Sequence, residues 1–301
     1  MPAPFLLCCL QHMKVTGFSF IKNAIQYQYP IVEALQSILP LCDEVVVAVG
    51  DSTDGTRELV AGIDPQKIRI IDTVWDDSLR EGGRVLAVET EKAFRAIAPD
   101  TDWCFYIQGD EVLHEDGYDE IRKAMHTWKD KKEVDGLLFK YRHFYGSFDY
   151  IGVSSKWYKR EIRIIRNDPN IFSYRDAQGF RKADNEKLRV KPLNAYIHHY
   201  GWVRPPETMH EKQYNFSKHW SGDNWQPQKV YEAYDYQSHI DALEKFKGTH
   251  PKVMQQRIAS MNWKFDYDLS YNRLPSKEKF KNLVEKITGQ RPFDHNNYKI
   301  V

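Results

Sequence analysis

Two adjacent acids follow directly on an apolar run in this chain of 301 residues. Residues 103–107 (Trp-Cys-Phe-Tyr-Ile) predict a buried strand, and the stretch Gln108, Gly109, Asp110 and Glu111 comes next. In an open α/β sheet, ligands bind just beyond the carboxyl ends of the strands. Acids in that position suit a hard divalent cation, which takes oxygen ligands and often bridges to phosphate groups. The pattern therefore predicts a metal and phosphate site at Asp110 and Glu111.

Two neighbouring histidines, His198 and His199, offer a further ligand for a metal or a diphosphate. Adjacent side chains of an extended chain point in opposite directions, so at most one histidine should face the site. We favour His199, which adjoins the Tyr-Gly-Trp turn, and the alternative is a strand-end histidine bound to the backbone. Arg204 and Lys212 follow as candidate phosphate partners, although basic residues on a rim are more often solvated.

A general base is the other group that a transfer to a hydroxyl requires, because the hydroxyl is a poor nucleophile until its proton is taken. The stretch 175–181 (Arg-Asp-Ala-Gln-Gly-Phe-Arg) combines an acid with a glycine and two arginines. Asp176 is therefore the candidate base, and a surface turn with paired charges is the alternative. Other acids that could take this role are Asp119, Glu120 and Asp149.

The elements that must position these residues alternate between strand and helix patterns from residue 14 to about residue 140. Such alternation predicts a mainly parallel sheet with helices on both faces. Strand patterns occupy residues 15–21, 44–49, 68–71 and 103–107, and later 136–144 and 161–166. Helical patterns around 231–246 and 252–261 predict a C-terminal helical appendage.

Three of these segments, in order, resemble family 2 glycosyltransferases of the GT-A fold, which use nucleotide-sugar donors. Residues 18–24 look like the first strand of that family, which ends in an Asn. Residues 47–56 are similar to its second-strand signature, an acid followed by Ser-x-Asp-Gly-Thr. The stretch 108–111 stands in the place of its Asp-x-Asp motif. The resemblance covers residues 15–112 well and continues more loosely to about residue 212.

The resemblance implies that Asn23 and Asp51 lie near the nucleotide and that Arg84 reaches the donor. Asp110 matches the last acid of the Asp-x-Asp motif, which holds the metal bridging the diphosphate. Gln108 matches the first acid of that motif and brings no charge. In several GT-A enzymes a late histidine completes the metal shell, and His199 lies at a comparable place.

The activity that the resemblance implies is that of an inverting glycosyltransferase. It would move a sugar from a nucleotide-diphosphate sugar to a hydroxyl of a glycan or lipid-linked sugar, assisted by Mg or Mn, in cell-surface glycan synthesis such as lipopolysaccharide or capsule. One alternative is a catalytically silent GT-A scaffold that binds nucleotide sugar or glycan, which the uncharged Gln108 favours. Another is a sugar-phosphate nucleotidyltransferase, which would carry a glycine-rich basic loop after the first strand. Residues 19–24 contain no glycine.

The expected organisation is a GT-A domain over residues 13–207, with a nucleotide-binding half (13–112) and an acceptor half (113–207). The helical appendage would follow over 208–301. Residues 1–12 are expected to be a non-native or disordered extension, with Met13 as the true start.

Charge and cysteine usage limit the remaining classes. The net charge of +1 does not predict binding to nucleic acid or to an anionic membrane. No run reaches the roughly 18 apolar residues of a membrane helix. The chain contains four cysteines, and Cys42 and Cys104 lie in apolar runs typical of free thiols. We expect a cytoplasmic protein, with peripheral contact at the inner face of the membrane as an option.

Overall fold

The computed structural model describes residues 13–79, 81–217, 233–288, 291–292 and 296–301. The expected extension over residues 1–12 lies outside this part of the chain. The strands are β1 Val15–Ile21, β2 Glu44–Val49, β3 Ile68–Asp72, β4 Trp103–Tyr106, β5 Glu111–Leu113, β6 Gly136–Tyr145, β7 Tyr150–Gly152, β8 Arg160–Arg166, β9 Phe172–Tyr174, β10 Gly179–Lys182, β11 Glu186–Lys187, β12 Arg189–Trp202, β13 Leu243–Lys245 and β14 Lys299–Ile300. The α-helices are α1 Ile31–Ile38, α2 Thr56–Ala61, α3 Arg84–Arg95, α4 Tyr118–Trp128, α5 Pro206–Ser217, α6 Gln255–Ala259 and α7 Ser276–Thr288.

A mixed sheet of 11 strands forms the centre of the molecule. Its first half runs in the order β4-β1-β2-β3, and all of these neighbours are parallel. β8 then pairs antiparallel with β4 and leads into the second half. Helices flank the sheet, so the predicted α/β fold class is confirmed.

Strand β2 illustrates why this sheet has two covered faces. Its β-branched run is buried throughout, as expected for a strand between two helical layers. Val45 and Val47 pack into the core on the α1 side, whereas Val46 and Ala48 pack with Phe94 of α3 on the other side. Each fully buried valine contributes about 1.5–3 kcal/mol relative to exposure. Because alternate residues of β2 face the two helical layers, the pairing register of β2 with its neighbours is fixed. In this register the carboxyl ends of the parallel strands lie at one edge of the sheet.

The second half of the sheet brings the late histidines to that same edge. β12 runs parallel to β6 and antiparallel to β5. In this register His199 is the partner of Glu111, the residue that follows Asp110. The end of β4 and the end of β12 therefore meet, although they are far apart in the sequence.

The C-terminal region differs from the predicted helices. Within the described part of 231–246, residues 243–245 form strand β13 on the edge of β7, so the predicted helix is wrong there. Leu243 is 1% exposed in this position, and pairing with the edge strand outweighs the helical spacing. The second predicted helix is present in shortened form as a 3-10 turn, Lys252–Met254, followed by α6.

Two free thiols, Cys42 and Cys104, are buried in the parallel half. Burial raises the pKa of both, so they behave as small apolar side chains. Among the described residues, no helix has the length and apolar character that a membrane crossing requires.

Candidate active site

Asp110 follows β4 by a few residues and lies at the carboxyl edge of the parallel strands. It lines a groove whose other walls are mostly apolar or aromatic, formed by Phe20, Ile21, Tyr29, Trp75, Leu86 and Gly109, with Lys22, Gln108 and Lys212 as the polar members. Gly109 is required by close packing, because a Cβ there would lie 2.7 Å from Ile21 Cδ1. The backbone therefore presses against β1 and directs Asp110 into the groove.

Cationic and imidazole groups surround the Asp110 carboxylate. Its Oδ2 lies 3.7 Å from His199 Nε2 and 3.6 Å from Lys212 Nζ. Burial alone would raise the pKa of Asp110, but His199, Lys212 and Arg204 together hold that pKa well below its usual range. Asp110 is therefore ionised at every physiological pH.

A second histidine sets the orientation of His199. His143 Nε2 lies 2.7 Å from the Tyr158 carbonyl oxygen, which can only accept, so this nitrogen carries the proton. Burial holds the pKa of His143 well below its usual range, so the ring is neutral and its Nδ1 is an acceptor. That Nδ1 lies 3.0 Å from His199 Nδ1, which must donate. In the protonated His199 ring, Nε2 therefore donates towards Asp110 and stabilises its charge, whereas in the neutral ring Nε2 carries the lone pair and can face a cation beside Asp110.

The divalent ion that the resemblance implies would lie between Asp110 and His199. Asp110 Oδ2 and His199 Nε2 are an oxygen and an imidazole nitrogen, which suit Mn, and the His143 contact is the usual kind of support for a ligating histidine. Among the described residues, no group of three or more His, Cys, Asp or Glu side chains is arranged around one point. The fit is therefore to an ion that takes its remaining ligands from a diphosphate and water.

Arg204 and Lys212 are both buried, and Lys212 lines the Asp110 groove. Arg204 is 1% exposed, and both of its terminal nitrogens donate to carbonyl oxygens, of Tyr27 at 2.6 Å and of Gly201 at 3.1 Å. Arg204 does not line the Asp110 groove, and its contact with phosphate stays a prediction. Lys212 donates to the same Gly201 oxygen at 3.0 Å, and burial lowers its pKa to about 7.

Glu111 does not share the role of its neighbour, which corrects its prediction as a metal ligand. Its side chain is fully buried and accepts two hydrogen bonds from Arg163, at 2.6 and 2.8 Å. Tyr141 and the Gln108 backbone also donate to it, at 2.9 and 3.1 Å. This network commits both oxygens, so Glu111 braces the turn that presents Asp110.

Gln108 has a positioning role that its uncharged amide explains. Its Nε2 donates to the Ala177 carbonyl oxygen at 3.1 Å and to the Tyr106 hydroxyl at 3.2 Å. An aspartate has no N–H group and could not donate to the Ala177 carbonyl oxygen. Gln108 therefore contributes no charge to the site, and its side chain anchors the loop that carries Asp176.

Asp176 and Arg84 line a common groove beside that loop. The loop residues on either side of Asp176 have positive φ, 56° at Arg175 and 64° at Ala177, which is a costly conformation for residues with a Cβ. Asp176 is half-buried, and desolvation raises its pKa above the usual range. The rival acids Asp119 and Glu120 lie on α4 and do not line this groove.

Asn23 and Asp51 connect the ends of β1 and β2. Asn23 Oδ1 accepts from the Thr53 backbone at 3.2 Å, in a turn where Asn23 itself has a φ of 51°. Asp51 Oδ1 accepts from Lys22 Nζ at 2.7 Å and from the Trp75 backbone at 3.2 Å. Asp51 is therefore tied to Lys22 and Trp75, both of which line the Asp110 groove.

The structure thus brings Gln108, Asp110 and His199 together, and the hydrogen bond from Gln108 to the Ala177 carbonyl oxygen links them to the loop that carries Asp176. The groups that sequence patterns missed are Trp75, His143 and Arg163. Trp75 stands in a loop without periodicity, and His143 and Arg163 lie in strand patterns that predict only burial. No motif signal could have selected them.

Comparison with known proteins gives structural matches only: no protein-family model and no curated protein matches the chain. Staphylococcus aureus TarS 1-349 in complex with UDP matches at 18% identity with a TM-score of 0.39, covering 68% of this chain and 64% of that one. The 4-diphosphocytidyl-2C-methyl-D-erythritol synthase from Anaerococcus prevotii matches at 10% identity with a TM-score of 0.36. The match covers 62% of this chain and 89% of that one. The Pyrobaculum calidifontis mannosyltransferase PcManGT, in complex with GDP-Man and Mn2+, matches at 22% identity with a TM-score of 0.31. The match covers 42% of this chain and 35% of that one.

The matched region spans less than two thirds of the TarS chains. With identities below 25% and TM-scores below 0.5, these matches carry no inference about what this chain binds or transforms.

Proposed function

We propose that this protein transfers a sugar from a nucleotide-diphosphate sugar to a hydroxyl group. The observation that carries the proposal is the placement of ionised Asp110 opposite His199 Nε2, 3.7 Å apart at the carboxyl edge of the parallel strands. An apolar and aromatic groove adjoins this pair. Such a groove suits a nucleoside, and the pair suits the charged diphosphate that follows it.

The residues around the groove divide the binding of the donor between them. Phe20 and Trp75 offer apolar faces for the base and ribose, and the Gln108 amide oxygen has no hydrogen-bond partner among the described residues. The basic side chains of the same groove are Lys22, which is paired with Asp51, and Lys212, whose pKa burial lowers to about 7. A divalent ion held by Asp110 and His199 would act as a Lewis acid on the departing diphosphate.

Asp176 is the proposed base for the transfer. As the acceptor oxygen forms its bond to the anomeric carbon, the carboxylate takes the hydroxyl proton. The bond between that carbon and the diphosphate oxygen breaks, and its electron pair leaves with the diphosphate. Attack from the opposite face inverts the anomeric configuration. The raised pKa of Asp176 favours this role, because a stronger base takes the proton more readily.

The resemblance noted in the sequence supports the finer parts of this proposal. The acceptor would be a glycan or lipid-linked sugar of the cell surface, and the reaction would take place in the cytoplasm or at the inner face of the membrane. Residues 13–207 would form the transferase domain.

A panel of nucleotide sugars tests the donor directly. Each is mixed with the protein with and without Mn, and both the melting temperature and the release of nucleoside diphosphate are measured. We expect one donor class to raise the melting temperature with Mn and to be hydrolysed slowly. Asp110→Asn should abolish both effects, and Asp119→Asn is the matched control on α4.

Two other results identify the alternatives. Binding without any release of nucleoside diphosphate in the presence of acceptor mixtures would indicate a silent scaffold. Release of pyrophosphate from a nucleoside triphosphate and a sugar phosphate would indicate a nucleotidyltransferase. Either result overturns the proposed transfer.

A further inference from the structure

Helix α7 presents a stripe of apolar side chains to solvent. Phe280, Leu283 and Ile287 recur at the i, i+3, i+7 spacing of one helix face. Their exposed fractions are 57%, 56% and 76%. A helix on the surface of a globular protein normally turns such a stripe towards the core. Large apolar side chains that are gathered on one exposed face mark an interaction site, whereas isolated ones are ordinary.

The opposite face of α7 attaches the helix to the rest of the molecule through polar contacts. Glu278 and Glu285 each precede a residue of the stripe by two positions, which is about 200° around the helix. Both acids accept hydrogen bonds from Arg291, at 2.7 and 2.8 Å. Glu278 also accepts one from the Ser155 backbone at 3.0 Å. The apolar stripe is therefore not what holds α7 to the fold.

The charge beside the stripe is positive. Lys277 and Lys279 flank it on either side, and both are exposed and without an ion-pair partner among the described residues. The two acids of the helix lie on the other face, where Lys281 also pairs inwards with Glu278 at 3.7 Å. The outward face of α7 thus combines apolar groups with uncompensated positive charge.

We propose that α7 docks this protein on a membrane surface that carries anionic lipids. The helix has 13 residues and is therefore about 20 Å long, which is too short to cross the hydrocarbon core of a bilayer. It would lie in the plane of the interface, with the stripe inserted between the lipids and the lysines against the headgroups. An apolar stripe flanked by lysines is the pattern of such interfacial helices.

Charge complementarity favours the lipid surface over a second copy of the chain. A symmetric dimer through this face would bring the same patch of both copies together. Lys277 and Lys279 would then meet their equivalents without an acid between them, and such a juxtaposition of like charges is unfavourable. Anionic headgroups neutralise these lysines instead.

The position of α7 connects this surface with the candidate site. Lys281 and Glu285, on the inward face of the helix, line a cavity that Asp176 also lines. A docked α7 would therefore hold the Asp176 loop close to the bilayer, which suits an acceptor anchored in lipid. This last step rests on the proposed function, whereas the docking surface stands on α7 alone.

Co-sedimentation with lipid vesicles tests the surface without any turnover. The vesicles consist of phosphatidylcholine alone or of phosphatidylcholine mixed with phosphatidylglycerol. We expect the wild-type protein to bind the mixed vesicles and to be released by added salt, because salt screens the attraction. Phe280→Ser and Ile287→Ser should each weaken the binding roughly 10-fold, since each removes apolar surface from the bilayer. The double variant Lys277→Gln, Lys279→Gln should weaken it roughly 25-fold, about fivefold for each lysine.

Two matched controls remove the same groups from other surfaces. Val74→Ser removes an apolar side chain that is 70% exposed, and the double variant Lys123→Gln, Lys132→Gln removes two exposed lysines. Both controls should bind the mixed vesicles as the wild-type protein does. Melting temperatures establish that all variants fold. The rate of donor hydrolysis in solution should be the same in the α7 variants as in the wild-type protein.

Equal loss in the controls, or equal binding to both kinds of vesicle, overturns the docking surface. A dimer in sedimentation velocity that Ile287→Ser dissociates would assign the stripe to a second copy of the chain instead. Vesicle binding that requires residues 1–12 but is unchanged in Ile287→Ser also overturns the proposal. If vesicles bind through α7 but no donor is ever hydrolysed, the proposed transfer fails while the docking surface stands.

Discussion

Asp110 and Glu111 are adjacent acids with opposite surroundings. Glu111 is fully buried, and Arg163 binds both of its oxygens. Asp110 has Lys212 and His199 near one oxygen, at 3.6 and 3.7 Å, which are ion-pair contacts longer than the bonds that Glu111 accepts. A carboxylate whose hydrogen bonds are complete stabilises the fold, whereas one whose charge is only partly satisfied can bind. The hydrogen-bond partners of each acid, and not its position in the motif, therefore indicate whether it stabilises the fold or binds a ligand.

The largest effect on stability should come from removing the arginine that pairs with Glu111. Arg163→Met leaves Glu111 as an uncompensated buried charge, so the free energy of unfolding should fall by about 3–5 kcal/mol. Urea denaturation followed by tryptophan fluorescence measures this change. The exposed Arg57→Met control should leave the midpoint nearly unchanged. A loss no greater than that of the control would mean that the Glu111 network does not brace the turn.

Removing the charge of Asp110 should lower the activity and leave the stability nearly unchanged. Asp110→Asn keeps the size of the side chain and removes its charge, so turnover should fall roughly 100- to 1000-fold, as for other losses of transition-state electrostatics. Steady-state release of nucleoside diphosphate measures the rate. The midpoint of urea denaturation should move far less than in Arg163→Met. Normal turnover would remove Asp110 from the chemistry.

The orientation of His199 gives a smaller and more specific test. His143→Leu removes the acceptor that fixes the His199 proton on Nδ1, so Mn affinity in the presence of nucleoside diphosphate should fall about 10- to 100-fold. Isothermal titration with Mn measures this affinity. His250→Asn is the control, since His250 contacts Tyr200 and Phe148 and not His199. Unchanged Mn binding in His143→Leu would contradict the orienting role of His143.

A third buried acid extends the comparison through its pH dependence. Desolvation raises the pKa of Glu161 from 4.5 to about 8, with Glu111 and Asp176 adding to the rise and Arg163 opposing it. The folded state therefore holds a proton that the unfolded state loses, and stability due to Glu161 should decrease as the pH rises from 4.5 to 8. Glu161→Gln should lack this decrease. Urea midpoints at pH 5 and pH 8.5 measure it, and parallel profiles for the two proteins would contradict the assignment.

The parallel half of the fold was predictable because its signals are local. The buried run of β2 and the stripe of α3 each report their own environment, and turn residues mark the strand ends. The choice of His199 over His198 also followed from local geometry, since neighbours on a strand face opposite sides. His198 indeed packs on the far face, near Phe144 and Phe246.

The remainder depends on partners that are distant in sequence. Nothing near Glu111 indicates that Arg163, on an antiparallel strand, will neutralise it. The role of Gln108 likewise depends on a loop 69 residues away. For residues 243–245, the helical spacing was overridden by pairing with β7. Interactions of this kind become visible only when the sheet order is known.

The two buried thiols of the parallel half can report how often its strands separate. Cys42 lies directly below β1, where a Cβ on Gly17 would come within 3.2 Å of its Sγ, and Cys104 lies on β4, the other neighbour of β1. Neither sulfur can react with an alkylating reagent until these strands separate, because a reagent needs an accessible thiolate. The rate at which Cys42 and Cys104 become labelled in the intact protein therefore reports how often the β1 region opens, and a bound donor should slow it.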